Sequence, residues 1–90
     1  NMRLYWKQKK NGLDLIVEDT DRNTFSVGGV RDTKRGIEAL AKTTGYDPGR
    51  AVKGLSSIEE GREFVENFQP WREFYPAETL NIESDIMTSN

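Results

Sequence analysis

The sequence predicts an α+β fold: an N-terminal three-stranded antiparallel β-meander packed against two main helices, with a short C-terminal edge strand as an option. Two patterns lead to this fold class. The first third alternates apolar and polar residues and contains an Asn-Gly turn signal. The rest contains a serine–glutamate capping box followed by an apolar stripe at helical spacing. The 90 residues have room for one core, assigned to residues 1–83, with residues 84–90 as a flexible tail.

The first two strands follow from the alternation along residues 3–9 and 13–17. The Asn-Gly pair between them suits the positive φ angles of a two-residue type I′ turn. This turn would pair Trp6 with Val17 and keep the apolar side chains opposite each other on one face. We therefore predict a hairpin with Trp6 in the core.

A third strand is predicted at residues 24–28, with Phe25 and Val27 facing the core. A loop over residues 21–23 keeps both side chains on that face, with Asn23 in the left-handed conformation. The acidic and amide residues around this loop resemble the start of a calcium-binding loop, but the later ligands of that motif are missing. We therefore predict a plain turn and no metal site.

Two helices are predicted to cover the apolar face of the meander. The first covers residues 33–44 and ends at Gly45. The second covers residues 57–69, from the capping box to Pro70, and a short aromatic helix or loop follows until Pro76. The optional edge strand covers residues 79–83. The residues expected at the centre of the core are Trp6, Phe64 and Phe68.

The composition excludes several classes of function. The chain has no cysteine and no histidine, which excludes disulfides, Cys/His zinc sites, and thiol or imidazole catalysis. We therefore expect no enzymatic activity and no cofactor. No apolar run approaches the ~18 residues of a membrane span, and no signal peptide is recognisable. We expect no membrane partner and a cytoplasmic location.

Charge is distributed unevenly along the chain. The net charge of −2 divides into +4 for residues 1–53 and −6 for residues 54–90. Such polarity produces opposite surface fields if the two parts of the chain face apart, and ion pairs if they pack together.

The favoured functional hypothesis is a small non-enzymatic protein that binds or inhibits another protein. An acidic stripe on the second helix and the aromatic residues behind Pro70 are the candidate contacts. In size and composition the chain resembles small uncharacterised proteins of bacteriophages and mobile elements, some of which imitate DNA phosphates. The candidate protein-binding residues are Glu59, Glu63, Glu66, Trp71, Phe74 and Tyr75.

The alternative hypothesis is a nucleic-acid-binding module. Basic and aromatic side chains share the outer face of the predicted sheet, and Gly28-Gly29 precedes more cations at the predicted start of the first helix. Over residues 3–44 the order of strands and helix resembles the DNA-binding modules of phage integrase arms and AP2 proteins. The candidate residues are Tyr5, Lys7, Lys9, Arg31, Lys34 and Arg35. A homo-oligomer formed through strand edges or aromatic residues is a third alternative.

Overall fold

A computed structural model of the chain describes residues 1–88. The sheet is larger than the predicted meander and has five antiparallel strands, each paired with the next along the chain. The strands are β1 (Arg3–Lys9), β2 (Gly12–Glu18), β3 (Thr24–Thr33), β4 (Gly36–Ala41) and β5 (Ala51–Leu55). The prediction of three strands is therefore wrong.

The helices α1 (Ile58–Phe68) and α2 (Trp71–Phe74) form one bent segment that packs on one face of the sheet. The smallest dimension of the molecule, 18 Å, fits these two layers. Within residues 1–88, neither helix covers the opposite face, which we call the open face. The prediction of two main helices is wrong, because only α1 is a long helix.

In the hairpin of β1 and β2, the side chains lie on the predicted faces, but the pairing of the two strands differs from the predicted register. Trp6 pairs with Leu15 instead of Val17, because the turn centres on Lys10 and Asn11. Side chains alternate with a period of two, so a shift of two residues leaves every side chain on its original face. Trp6 is fully buried, as predicted.

The predicted helix over residues 33–44 is absent. These residues form the end of β3, a turn at Lys34 and Arg35, and β4. Ile37 and Ala39 alternate into the core with period two, whereas Leu40 points to the open face. The resemblance to integrase arms and AP2 proteins depended on a helix after the three strands. The structure has β4 at that position instead.

The turn between β2 and β3 satisfies its own polar groups. The Asp19 carboxylate accepts hydrogen bonds from the backbone N–H groups of Asp21 and Asn23, each at 2.9 Å. Arg22, with a φ of 66°, adopts the left-handed conformation predicted for Asn23. The loop covers residues 19–23 instead of the predicted 21–23, so Phe25 lies opposite Val17 at the margin of the core.

Helix α1 agrees with its predicted position. The Ser57 hydroxyl accepts a hydrogen bond from the Glu60 N–H at 3.1 Å, as expected for a capping box. The Glu60 carboxylate instead accepts hydrogen bonds from the N–H and the hydroxyl of Ser56, which lower the pKa of Glu60. Gln69 ends the helix in the left-handed conformation, and Pro70 begins the turn into α2.

Close contact between α1 and the sheet determines the centre of the core. A Cβ atom at Gly61 would lie 2.5 Å from Cγ1 of Val30, and one at Gly28 would lie 2.9 Å from Cγ1 of Val65. Glycine and valine therefore meet where α1 touches β3. Phe64 and Phe68, which the sequence places there, are half-buried, with their ring centroids 6.3 Å apart.

The C-terminal segment lies parallel to the outer edge of β1. It forms isolated bridges from Ile82 to Leu4 and from Met87 to Lys7, so the predicted strand at residues 79–83 is replaced by separate bridges. Met87 donates its N–H to one backbone carbonyl of β1 and accepts another N–H from β1 with its own carbonyl. Residues 84–88 of the predicted tail belong to this segment, and residues 89–90 lie outside the described chain.

We predict that Gly61→Ala destabilises the fold. The new methyl group meets the stiff side chain of Val30, and overpacking of this kind costs about 1–3 kcal/mol. Gly45→Ala is the matched control, because nothing lies within 4 Å of a Cβ there. Urea denaturation should show a loss of stability for Gly61→Ala alone, and the cost should shrink in a Val30→Ala background. A gain of ~1 kcal/mol, as for alanine in an exposed helix, would contradict the close contact.

We predict that the stability contributed by the C-terminal segment depends on pH, because Glu83 must be ionised to pair with Arg3. Arg3 donates two hydrogen bonds to the Glu83 carboxylate, at 2.7 and 2.8 Å, and these bonds lower the pKa of Glu83. The carboxylate therefore stabilises the fold above its ordinary pKa of 4.5, and this contribution is lost as the pH falls through the lowered value. Glu83→Gln should lower the urea midpoint at pH ~7 and have little effect at pH ~2.5. Glu78→Gln is the control, and an equal effect of Glu83→Gln at both pH values would refute the linkage.

Candidate functional site

The acidic face of α1 is largely engaged within the protein. The Trp6 indole donates its Nε1–H to the Glu66 carboxylate at 2.7 Å. Arg62 lies 3.2 Å from the Glu59 carboxylate and 3.9 Å from that of Glu66, with its guanidinium 5.6 Å from the Trp6 ring centroid. Among the described residues Glu63 has no ion pair or side-chain hydrogen bond and faces solvent. Only part of the predicted acidic stripe is therefore free to meet a partner.

The predicted aromatic residues divide between the core and the surface. Trp71 is buried in the core, whereas Phe74 is 39% exposed and Tyr75 is half-buried. Phe74 and Tyr75 line an apolar pocket of about 160 Å³ together with Phe25, which is 50% exposed. Burial, with a smaller effect of Asp19, raises the pKa of Tyr75. The sequence analysis placed Phe25 in the core because alternation alone does not show where a sheet margin lies.

A second cavity, of about 470 Å³, lies on the open face over β3, β4 and β5. Gly29 leaves space there, because a Cβ atom would lie 2.8 Å from the Asp14 carboxylate. Arg31 pairs with this carboxylate at 2.7 Å. Leu40 lines the cavity and is 42% exposed. The cavity therefore has an apolar wall beside a closed ion pair.

Ser26 and Lys42 contribute to the linings of both the cavity and the pocket. Lys42 and Lys53 border the cavity, and neither has an ion pair within the described chain. Glu38 is the remaining acidic side chain beside them. We call the linings of the cavity and the pocket together the apolar surface. Its main residues are Phe25, Ser26, Leu40, Lys42, Ala51, Lys53, Phe74 and Tyr75.

The predicted nucleic-acid-binding face lacks an available aromatic ring. Tyr5 is buried, and its hydroxyl donates a hydrogen bond to Glu18 at 3.2 Å. The Arg3 guanidinium lies 4.7 Å from the Tyr5 ring centroid. Burial and the hydrogen bond to Glu18 raise the pKa of Tyr5. Lys7 is half-buried on the same face, so this part of the sheet offers few groups for stacking on a base.

Four basic side chains lie instead on two neighbouring hairpin turns. Lys9 and Lys10 belong to the β1–β2 turn region, and Lys34 and Arg35 form the β3–β4 turn. We call these four residues the basic tips. The sequence analysis missed Lys10 and assigned Lys34 and Arg35 to a helix. The predicted strand-to-helix link beginning at Gly28-Gly29 is wrong, because both glycines lie within β3.

Two further features bear on function. Within residues 1–88, no cluster of three or more acidic side chains is placed to hold a metal ion. Across the same residues, no helix has the length and apolar character needed to cross a membrane.

No protein-family model matches this sequence, and comparisons with curated proteins and with solved structures gave no significant match.

We predict different roles for two glutamates of α1. Glu66→Ala leaves the buried indole N–H of Trp6 without its acceptor, which costs about 1–3 kcal/mol. Glu63→Ala, on the exposed side of the same helix, should change stability by less than ~0.5 kcal/mol. Urea denaturation followed by Trp fluorescence measures both effects. Equal stabilities of the two variants would show that the indole bond contributes little.

Proposed function

We propose that this protein is a non-enzymatic binding module that captures an acidic protein segment on its apolar surface. The observation that carries the proposal is the pair of cavities that share Ser26 and Lys42, one bordered by the exposed side chains of Phe25 and Phe74 and the other by that of Leu40. Exposed apolar groups that adjoin each other, with polar groups at the rim, are typical of protein-binding sites.

The pocket suits one apolar side chain of a partner. Its volume of about 160 Å³ is bordered mainly by Phe25, Phe74 and Tyr75. A partner side chain that fills such a pocket removes apolar area from water on both molecules, which gives the largest share of binding energy at typical hot spots. The adjoining cavity on the open face accommodates the residues that flank this side chain.

The charges at the rim favour carboxylates in the partner. Lys42 borders both cavities, and Lys53 borders the larger one. Arg31 is neutralised by Asp14, and Glu38 offsets only one of the two lysines. The rim therefore has a net positive charge, which favours an acidic segment and disfavours a basic one.

The proposal keeps Phe74 and Tyr75 from the sequence-based hypothesis and replaces the acidic helix as the main contact. Glu59 and Glu66 already have partners within the chain, so a protein that used them would have to displace Arg62 or the Trp6 indole. We retain a cytoplasmic location as part of the proposal, because a chain without cysteine suits a reducing compartment.

A peptide-display selection on the immobilised full chain tests the chemistry of the ligand. We expect enriched peptides that combine Asp or Glu with Leu, Phe or Trp. Affinities of the selected peptides are then measured by isothermal titration for Phe74→Ala and for Ile86→Ala. The two side chains are equally exposed at 39%, and Ile86 lies outside the apolar surface.

Phe74→Ala should weaken binding about 10- to 100-fold, as expected for a hot spot, and Ile86→Ala should have little effect. The double substitution Lys42→Ala with Lys53→Ala should lower the affinity for acidic peptides and make their binding less dependent on salt. Circular dichroism confirms that each variant is folded. Selection of basic peptides, or equal binding by Phe74→Ala and Ile86→Ala, would refute the proposal.

A further inference from the structure

The two turns that carry the basic tips are held next to each other by the sheet. Gly12 at the start of β2 pairs with Arg31 of β3, and the Asp32 N–H donates a hydrogen bond to the Asn11 carbonyl at 2.7 Å. The two hairpins therefore end at the same edge of the molecule. Four cations that are up to 26 residues apart in the chain become neighbours through strand pairing.

The cations of the basic tips are exposed and unpaired. None of the four side chains makes an ion pair or a side-chain hydrogen bond within residues 1–88. Two other cations of the sheet, Arg3 and Arg31, are instead paired with carboxylates. Asp32 and Glu59 are the acidic side chains that border the adjacent pocket, and neither contacts a tip cation. Four positive charges are therefore available to an external anion.

The distance between the two turns that carry the basic tips is similar to the distance between phosphates across a groove of duplex DNA. The hairpin centres are two strand spacings apart, about 10 Å, which is similar to the width of a groove in duplex DNA, roughly 6–12 Å. The β3–β4 turn extends two residues beyond the Gly12–Arg31 pair, about 7 Å along the strand direction. One tip can thus reach the phosphates on one side of a groove while the other contacts the opposite side.

We propose that the basic tips form a second binding site, which contacts the phosphate backbone of duplex nucleic acid through Lys9, Lys10, Lys34 and Arg35. The site binds without sequence specificity, because these side chains contact phosphates and not base edges. It is separate from the apolar surface and does not depend on the proposed function.

The residues of the turns favour a duplex over the other anionic polymers. Residues 9–12 and 33–36 contain no aromatic side chain, whereas binding of single strands depends on stacking against aromatic rings. The same residues contain no apolar side chain that could anchor the tips in a membrane. Contacts between cations and phosphates are sufficient for non-specific binding of a duplex.

Fluorescence anisotropy with a labelled duplex DNA of ~20 base pairs tests this site over a range of salt concentrations. Four phosphate contacts predict a slope of log K against log salt of about −3.6. Lys34→Ala with Arg35→Ala should reduce the slope by about 2 and the affinity at ~50 mM salt by at least ~10-fold. The matched control is Lys42→Ala with Lys53→Ala, which removes the same charge from the apolar surface.

The control pair should retain most of the affinity for duplex DNA. An equal loss of affinity in both double variants would show that only net charge matters and would overturn the proposed site. The absence of binding at ~50 mM salt would also overturn it. Binding to vesicles with anionic lipid but not to duplex DNA would also overturn it. Tighter binding of single-stranded DNA than of duplex DNA would refute the groove-spanning geometry.

Discussion

The close contact between α1 and the middle of the sheet determines most of the structure. Gly61 allows the helix to rest directly on Val30, and Gly28 leaves space for Val65. Phe64, Phe68 and Phe74 are only partly buried beside this contact, whereas Trp71 is buried in the core. Phe64 and Phe68 lie along one side, and the residues of α2 and Phe25 lie near the turn between β2 and β3. The apolar pocket is a result of this arrangement.

The arrangement of the chain in two layers, sheet and helices, also separates acidic from basic side chains, which are unevenly distributed along the sequence. The C-terminal third, which supplies the helices and the edge segment, contributes most of the acidic side chains. The strands and turns contribute most of the cations. Some charges nevertheless pair between these parts, as Arg3 does with Glu83. Both of the outcomes considered for the uneven charge therefore occur: pairing at the β1 edge and separation at the hairpin tips.

The sequence predicted the elements that have two agreeing local signals. The first hairpin combines alternation with a turn, and α1 combines a cap with a helical stripe. Residues 36–41 have conflicting signals, because Ile37, Leu40 and Ala41 fit a helical period while Ile37, Ala39 and Ala41 fit a strand. Pairing with β3 on one side and β5 on the other decides in favour of the strand, and this long-range contact cannot be read from a local pattern.

The candidate surfaces were predictable only as separate residues. Phe74, Tyr75, Lys9 and Lys34 were all recognised, but Lys34 was assigned to the incorrect helix and Lys9 to the outer face of the sheet. Strand pairing brings Lys9 and Lys34 to one edge, and Phe25 and Phe74 meet at one pocket.

The C-terminal segment along β1 has a consequence for the growth of the sheet. By occupying the hydrogen-bonding groups of Leu4, Trp6 and Gln8, it leaves little of that margin for an incoming strand from another molecule. The opposite margin, β5, is five residues long and contains a lysine and a glycine with a φ of 71°, both of which disfavour strand addition. Open-ended polymerisation into a continuous intermolecular ribbon is therefore obstructed at both ends, although 35 residues of the chain lie in strands.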